Sequence, residues 1–586
     1  MRPPLLFAAL SAVLLGACYS AGDGQAPPLQ SLYFPTGLAL DVLPNEVTDD
    51  PSVEPPPAEP PKHLYVASSD FDLQYRASAL VSYNLDDDDV TGVEGLVAHV
   101  PKNCNTDADC QNGQQCDDDA TASPNPSYFC VADKSNPTPC ASIGPDAIPS
   151  TAADQLLYPG RCSSIDQVKS RLIADSVQIG AFASDLLFRK VPDGALLSGA
   201  KPNTVGRLFL PVRGDATLHW IDVNGAGALE CGQSNTSDDS CDNAHRVGDD
   251  EDVESPNMLR QEPEPFAIAI DDDGVNITVT NQTTGSISLY ANQWATDAPP
   301  ELVDLLTGLP TAPVGITALP KPRIPFGVPY ESGFLAVYQD AAQVDLLRVH
   351  FDGDSTTPKG AYEPRVLTRA GSIAINANSI GSDSRGIVID DEQRQADYRA
   401  CYKPCAGTTG AAQPICLQQL AASCFQAAHQ PSVFVSNRAP ASILVGALTP
   451  DFSYAAGTSE LPAFTDSVPL NVGPSRIVLG KVKVPSATSP VSDEKGPYAL
   501  ETRVFIVCFD SRRIYIYDPA RRVIDSIVTT GRGPFALAID EARGYGYVAH
   551  FTDSYLGVIS LDQRFPKNYA AIIASVGVPS PPRASK

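Results

Sequence analysis

Short runs of apolar residues, unbroken over several positions, recur along the chain, and most of them close on an acid. The clearest lies near the C-terminus, where PFALAIDEARGYGYVAHFTDSYLGVISLD (Pro534–Asp562) reads as a strand ending at Asp540, a turn, a second strand (Gly546–His550), another turn and a third strand (Leu556–Leu561). Runs like its first strand stand at Phe34–Asp41, Ile179–Asp185, Pro265–Asp271, Pro313–Leu319, Ser384–Asp390 and Pro474–Gly480. Continuous apolarity predicts burial on both faces, the condition of an innermost strand. Each run is followed, in places after an insertion, by a β-rich strand, a polar turn and a third strand, as in Asn276–Tyr290 and Ser432–Leu448. A looser fourth strand often follows, as at Val523–Gly531 and Ala570–Gly577.

Four short antiparallel strands repeated roughly every 50–60 residues are the pattern of β-propeller blades. The expectation is therefore an all-β chain forming a single β-propeller of about seven four-stranded blades, with six or eight also compatible, decorated by disulfide-rich insertions. A two-sheet sandwich would leave the recurring buried first strand unexplained. The segments also resemble the YVTN-type propeller repeat, most clearly at Val279-Thr280-Asn281 and the GSISLY that follows. That resemblance implies a fold far more than a function. The organisation expected is blade 1 over 31–101, a cysteine-rich insertion over 102–177, blades 2 to 5 beginning within 178–390, a cysteine-stapled helical insertion over 391–430, blades 5 to 7 over 431–578 and a tail over 579–586.

Blade topology assigns faces. Turns between second and third strands, and those entering first strands, share the top of the channel, whereas turns after first and third strands lie at the bottom. The loop Val42–Lys62 and the insertion Asp391–Gln430 then fall at the bottom, and Lys102–Val177 is expected to join blades 1 and 2 at the top. Arg385, Arg476 and Arg532 enter first strands, and Arg213 and Arg438 sit in second-to-third turns. All five are thus candidates for one mouth, where guanidinium groups favour a carboxylate or phosphate ligand. The structural alternative pairs each with a neighbouring strand-end aspartate.

The N-terminus changes the picture of location. Arg2 precedes an apolar run, Leu5–Leu15, too short to span a bilayer, and the run ends in Leu15-Gly16-Ala17-Cys18. This resembles the lipobox of bacterial lipoproteins, which implies a signal peptide over 1–17, acyl chains on Cys18 and a tether over 18–30. Tyr19 rather than aspartate follows, which implies the outer membrane of a Gram-negative cell envelope. The membrane, reached through these acyl chains, is thus one expected partner.

Cysteine usage agrees with an oxidising compartment. Of 14 cysteines, twelve form three even groups: Cys104, Cys110, Cys116, Cys130, Cys140 and Cys162; Cys231 and Cys241; Cys401, Cys405, Cys416 and Cys424. Even groups in a secreted chain read as local disulfides. For the last group the nested pairing Cys401–Cys424 and Cys405–Cys416 is expected, although three pairings are permitted. No CxxC occurs to suggest zinc. Cys508, in the strand RVFIVCF, reads as a buried free thiol.

Chemistry is sparse. A formal charge of −28 repels nucleic acid, so no such partner is expected. The seven histidines are scattered and show no metal spacing, and GxSxG, P-loop and dinucleotide motifs are missing. No cofactor or metal site is expected, with calcium left open at Asp107 and Asp109 and at the clusters Asp86–Asp89, Asp249–Asp252 and Asp271–Asp273. The strand-end acids Asp41, Asp271, Asp390 and Asp540 recur at one blade position, the mark of architecture. No unrepeated cluster of acid, asparagine and histidine can be assembled. These readings lead to a non-enzymatic binding or scaffold module for another envelope protein or an extracellular ligand. The alternative is a propeller enzyme, lactonase-like or quinoprotein-like, with a metal or cofactor in its channel.

Overall fold

The computed structural model describes residues 24–41, 59–87, 94–110, 114–117, 128–131, 165, 168, 171–192, 203–236, 239–248, 259–294, 298–321, 331–351, 365–375, 383–406, 412–449, 461–486, 491–493 and 496–577. Seven antiparallel sheets, each four strands deep, follow one another along the chain, and two carry an extra short strand. The strand order within each is sequential, from Pro35–Leu40 outward to Ile173–Ile179 in blade 1 and from Pro534–Asp540 outward to Ile572–Val576 in blade 7. First strands of neighbouring blades touch, as Pro35–Leu40 touches Pro534–Asp540 and Pro313–Ala318 touches Ser384–Asp390. They form the innermost ring.

Seven apolar cores, one between each pair of adjacent blades, explain why the runs read from the sequence are apolar on both faces. Blades 3 and 4, for instance, enclose Ala269, Leu289, Phe334 and Leu347, and blades 7 and 1 enclose Ala538, Tyr547, Leu64 and Val81. Each sheet is sandwiched on both sides, so its strands cannot alternate between apolar and polar as a half-exposed sheet does. Among the described residues each sheet packs a core on both faces, and the ring closes without exchanging a strand between its ends.

Two placements differ from the sequence reading. The segment Ile179–Asp185 is not a first strand: the innermost strand of blade 2 is Leu187–Lys190, and Ile179 ends the fourth strand of blade 1. The long insertion accordingly lies between the third and fourth strands of blade 1, at the bottom, rather than between blades at the top. The register explains the misreading, because Ile173–Ile179 pairs along Ser78–Tyr83 and so completes blade 1 after the insertion. The described part of the insertion docks on blade 7. The Asn103 amide donates to the Ser560 hydroxyl at 3.0 Å, the Asn568 amide donates to Asn103 Oδ1 at 3.0 Å, and Ile165 bridges to Val576.

The cysteines pair locally. Cys401–Cys424 and Cys405–Cys416 staple helix α1 (Glu392–Tyr402) and its extension to helix α2 (Ala412–Ala427) in the nested order expected. Cys231–Cys241, Cys104–Cys116 and Cys110–Cys130 are also bonded, and Cys140 and Cys162 lie outside the described residues, as does Cys18. Cys508 is a buried free thiol, and burial pushes it up to about 12. Among the described residues no helix is long and apolar enough to cross a membrane.

Candidate functional site

The first strands open at their N-terminal ends into a cavity of about 330 Å³ on the top face. Its wall carries Asp185, Phe266, Arg385, Arg438, Arg476 and Phe535. The floor is made of small and aliphatic residues of the innermost ring, where a β-carbon on Gly315 would stand 2.9 Å from the α-carbon of Gly386. Glycine at 315 lets blades 4 and 5 approach along the channel, and glycine at 386, where a β-carbon would stand 2.9 Å from Ile477 Cγ2, does the same for blades 5 and 6.

Three of the five arginines predicted for this mouth are brought together. Arg476, entering the first strand of blade 6, donates from Nη1 to Asp185 Oδ1 at 2.7 Å and from Nη2 to the Ser184 carbonyl at 2.8 Å, with its guanidinium 4.7 Å from the centre of the Phe535 ring. Arg385 pairs with Asp383, its Nη2 donating at 3.1 Å, and Arg438 donates to Asp510 at 2.6 Å. Arg213 and Arg532 are not on the cavity wall. Arg213 pairs with Glu264 at 2.8 Å, and Arg532 forks onto Asp553. The Thr283 hydroxyl, and after it Arg213, hold Glu264 below the usual carboxylate range. Every one of the five is therefore ion-paired. The partners are acids of the top loops, however, and not the strand-end aspartates that the structural alternative named. A guanidinium carries five N–H donors, so one carboxylate does not exhaust it.

The strand-end acids serve turns at the other end of the channel. Asp41 accepts the backbone N–H groups of Lys62 and His63, and Asp271 accepts those of Val275 and Asn276. Asp540 takes the guanidinium of Arg543 at 2.8 Å, yet burial still raises it above its ordinary value. Asp390 accepts the N–H of Glu392 and is likewise raised by burial. The acids considered for calcium have similar work. Asp109 accepts the N–H groups of Asn105 and Thr106, Asp107 accepts that of Cys116, Asp86 pairs with Arg543, and Asp273 pairs with Lys321; 249–252 lie outside the described residues. His550, buried and stacked 4.0 Å from Tyr555, accepts the Gly531 N–H, and burial pushes it down to about 3.

The residue that sequence reasoning missed is Asp185. It matched the strand-end acids only because Ile179–Asp185 was read as a first strand. In the structure it ends the crossing from blade 1 to blade 2, at the top, and it is a wall residue of the cavity. The Ser184 hydroxyl, within 2.8 Å of the Phe266 carbonyl and 3.0 Å of that of Pro265, ties this crossing to blade 3. The apolar run Leu186-Leu187-Phe188 directly after Asp185 was the available signal that the strand starts later.

No family model and no curated protein matches the sequence. Solved structures do match in fold. A putative 6-phosphogluconolactonase from Bacteroides uniformis shares 11% identity over 80% of this chain and 83% of its own, with a TM-score of 0.37. The periplasmic gluconolactonase of Pseudomonas aeruginosa shares 13% over 68% and 83%, at 0.35. AztD of Citrobacter koseri shares 12% over 64% and 83%, at 0.31. The likeness is one of fold alone. Lactonases are among the chains so matched, so the expectation that this protein is not an enzyme is not kept, while the likeness itself assigns it no activity. The described lining of the cavity holds no histidine or asparagine, but Asp185 is an acid outside the repeat, held there against an arginine.

Proposed function

We propose that the top cavity is the working site of a lactonase-like enzyme held at the cell envelope. The carrying observation is the Asp185–Arg476 pair inside a cavity that also receives Arg385 and Arg438. Ring opening of a lactone needs water activated as a nucleophile and a donor for the oxygen that becomes negative at the carbonyl. A carboxylate beside a guanidinium supplies both. In this reading Asp185 takes a proton as water adds to the ring carbonyl, and N–H groups of Arg476 receive the oxyanion. The carbon–oxygen bond of the ring then breaks, and the proton passes to the departing alkoxide. The product is a hydroxy acid whose carboxylate pairs with the neighbouring arginines. The name borne by fold neighbours is consistent with this chemistry and adds no residue to it.

Anchoring through acylated Cys18, with 18–30 as tether, belongs to the same proposal and would put the cavity in the envelope of a Gram-negative cell. Among the described residues the scaffold reading has no surface of comparable definition behind it.

The test uses the full-length protein in detergent, with ring opening of D-glucono-δ-lactone, δ-valerolactone and aryl-substituted δ-lactones followed by proton release. Acceleration that falls about a hundredfold or more in Asp185→Asn and in Arg476→Ala supports the reading. Failure to accelerate any lactone, or acceleration indifferent to both substitutions, overturns it.

A further inference from the structure

The cavity does not end at its arginines. Phe535, on its wall beneath Arg476, lies 5.9 Å from Phe551, which lies 5.3 Å from Phe71 and 5.1 Å from Phe34. Phe71 in turn lies 6.4 Å from Phe182, and Phe509, another wall residue, lies 6.2 Å from Phe551. Six phenylalanine rings from blades 1, 6 and 7 and from the crossing into blade 2 thus form one continuous aromatic cluster, with Phe34 buried beneath it and the other five partly or fully open to solvent. It runs from the cavity to Phe71, which is 59% exposed beside the equally exposed Leu73. Outside the cavity these rings belong to turns at the top face, where loops of soluble propellers are ordinarily polar. Large apolar side chains gathered in one place at the surface mark a binding site more often than a chance exposure.

We infer that the ligand of this site is an amphipathic anion: an organic carboxylate, or the lactone that yields it, bearing an aryl tail. This rests on the anion-binding part of the reading above and names its substrate class. The arginines fix one end by charge and hydrogen bonding. The aromatic surface takes the other by burial and by edge or face contact between rings at the spacing that aromatic pairs prefer. A sugar acid, polar all round, would leave the phenylalanine track uncovered and would desolvate its own hydroxyl groups against it without return.

Calorimetric binding of 4-phenylbutyrate, butyrate and gluconate to the full-length protein separates these cases. Burying the phenyl group is expected to make phenylbutyrate about tenfold or more tighter than butyrate. In Phe71→Ser that ratio should fall to roughly threefold, with the melting temperature as control, because the ring being removed is largely in water. Equal affinities for phenylbutyrate and butyrate, a preference for gluconate, or a ratio unmoved by Phe71→Ser overturns the inference, even if lactones are hydrolysed. A tail-dependent affinity in a protein that hydrolyses no lactone supports the inference and defeats only the hydrolytic reading. Absence of binding by all three anions overturns it outright.

Discussion

Arg476 and Asp185 stand 291 residues apart in the chain and 2.7 Å apart in the fold. One belongs to the first strand of blade 6 and the other to the crossing into blade 2, so the ion pair spans the channel mouth instead of tying neighbours together. A contact across a ring can be removed without loosening a blade. Both side chains are about one-fifth exposed, which limits what the pair contributes to stability.

A double-mutant cycle with Arg476→Ala and Asp185→Ala, read by urea unfolding, is therefore expected to give a coupling energy of about 0.5–1 kcal/mol. Activity or ligand affinity should fall far more than that in each single variant. A coupling of several kcal/mol with unchanged ligand affinity would make the pair structural.

The opposite is expected at Arg207 and Asp222 in blade 2, exposed by only 2% and 4%. Arg207 Nε donates to Asp222 at 2.7 Å, Nη1 donates to Asn292 Oδ1 of blade 3 at 3.0 Å, and the guanidinium lies 4.3 Å from the centre of the Trp220 ring. Asp222→Asn leaves a buried cation without its counter-charge, and unfolding should show a loss of about 3–5 kcal/mol. Arg213→Ala, on the exposed rim, should move stability by less than about 0.5 kcal/mol in the same measurement.

How much of this was legible in the sequence follows from what repeats. First strands are apolar on both faces because each blade is enclosed by two others, so Pro265–Ile270 and Pro534–Asp540 betray themselves as copies. The nested cysteines of the helical hairpin were legible because Cys416 and Cys424 share a helix and the loop lengths are short. Asp185 was hidden for the same reason in reverse. Ile179–Asp185 looks like a further copy of the first strand, so the acid that closes it was not weighed apart from the repeat. The phenylalanine track was illegible because Phe34, Phe71, Phe509 and Phe551 come from three blades, and only ring closure brings them together. Which three of the five top arginines share a cavity likewise depends on the radial position of each turn, which spacing along the chain does not encode.

Ring closure offers its own test. The described part of the blade 1 insertion meets blade 7 through Asn568, whose amide donates to Asn103 Oδ1 and to the Tyr128 carbonyl, each at 3.0 Å. Asn103 and Asn568 are both buried. Asn568→Ala leaves the buried Asn103 Oδ1 without this donor, while the part-buried Tyr128 carbonyl keeps the Cys104 N–H, so a loss of about 1–3 kcal/mol is expected. Because the ring closes here, hydrogen exchange should rise first in Ile572–Val576, the outer strand of blade 7 that Ile165 also touches. Uniform acceleration across all seven blades would show that the seam is not where opening starts.

Asp70 lies next to Phe71 at the start of the same top loop, and its chemistry makes the loop sensitive to pH. It is fully buried, with Oδ1 accepting the Tyr75 N–H at 3.1 Å and Oδ2 without a hydrogen-bond partner. Burial, with a smaller contribution from the Asp72 charge, raises it from 3.8 to about 7, although backbone N–H groups of Tyr75 and Gln74 pull the other way. The neighbouring Tyr33 hydroxyl is raised too, chiefly by burial and then by Asp70 itself. A raised carboxylate means that, between about pH 4 and pH 7, the folded state holds a proton that the unfolded chain has released. Stability attributable to this group is then greatest at low pH, declines as pH rises through that window and levels off above it. Asp175 and Asp272 are shifted in the same direction and Asp215 and Asp242 in the other, so the profile of the wild type alone is not diagnostic. The difference between wild type and Asp70→Asn is. The variant, which cannot ionise, should gain roughly 1.4 kcal/mol or more of stability relative to wild type as pH rises from 5 to 8. Thermal unfolding of both proteins across that range measures it, and a difference independent of pH would mean that Asp70 ionises in the folded state as freely as it does in the unfolded chain.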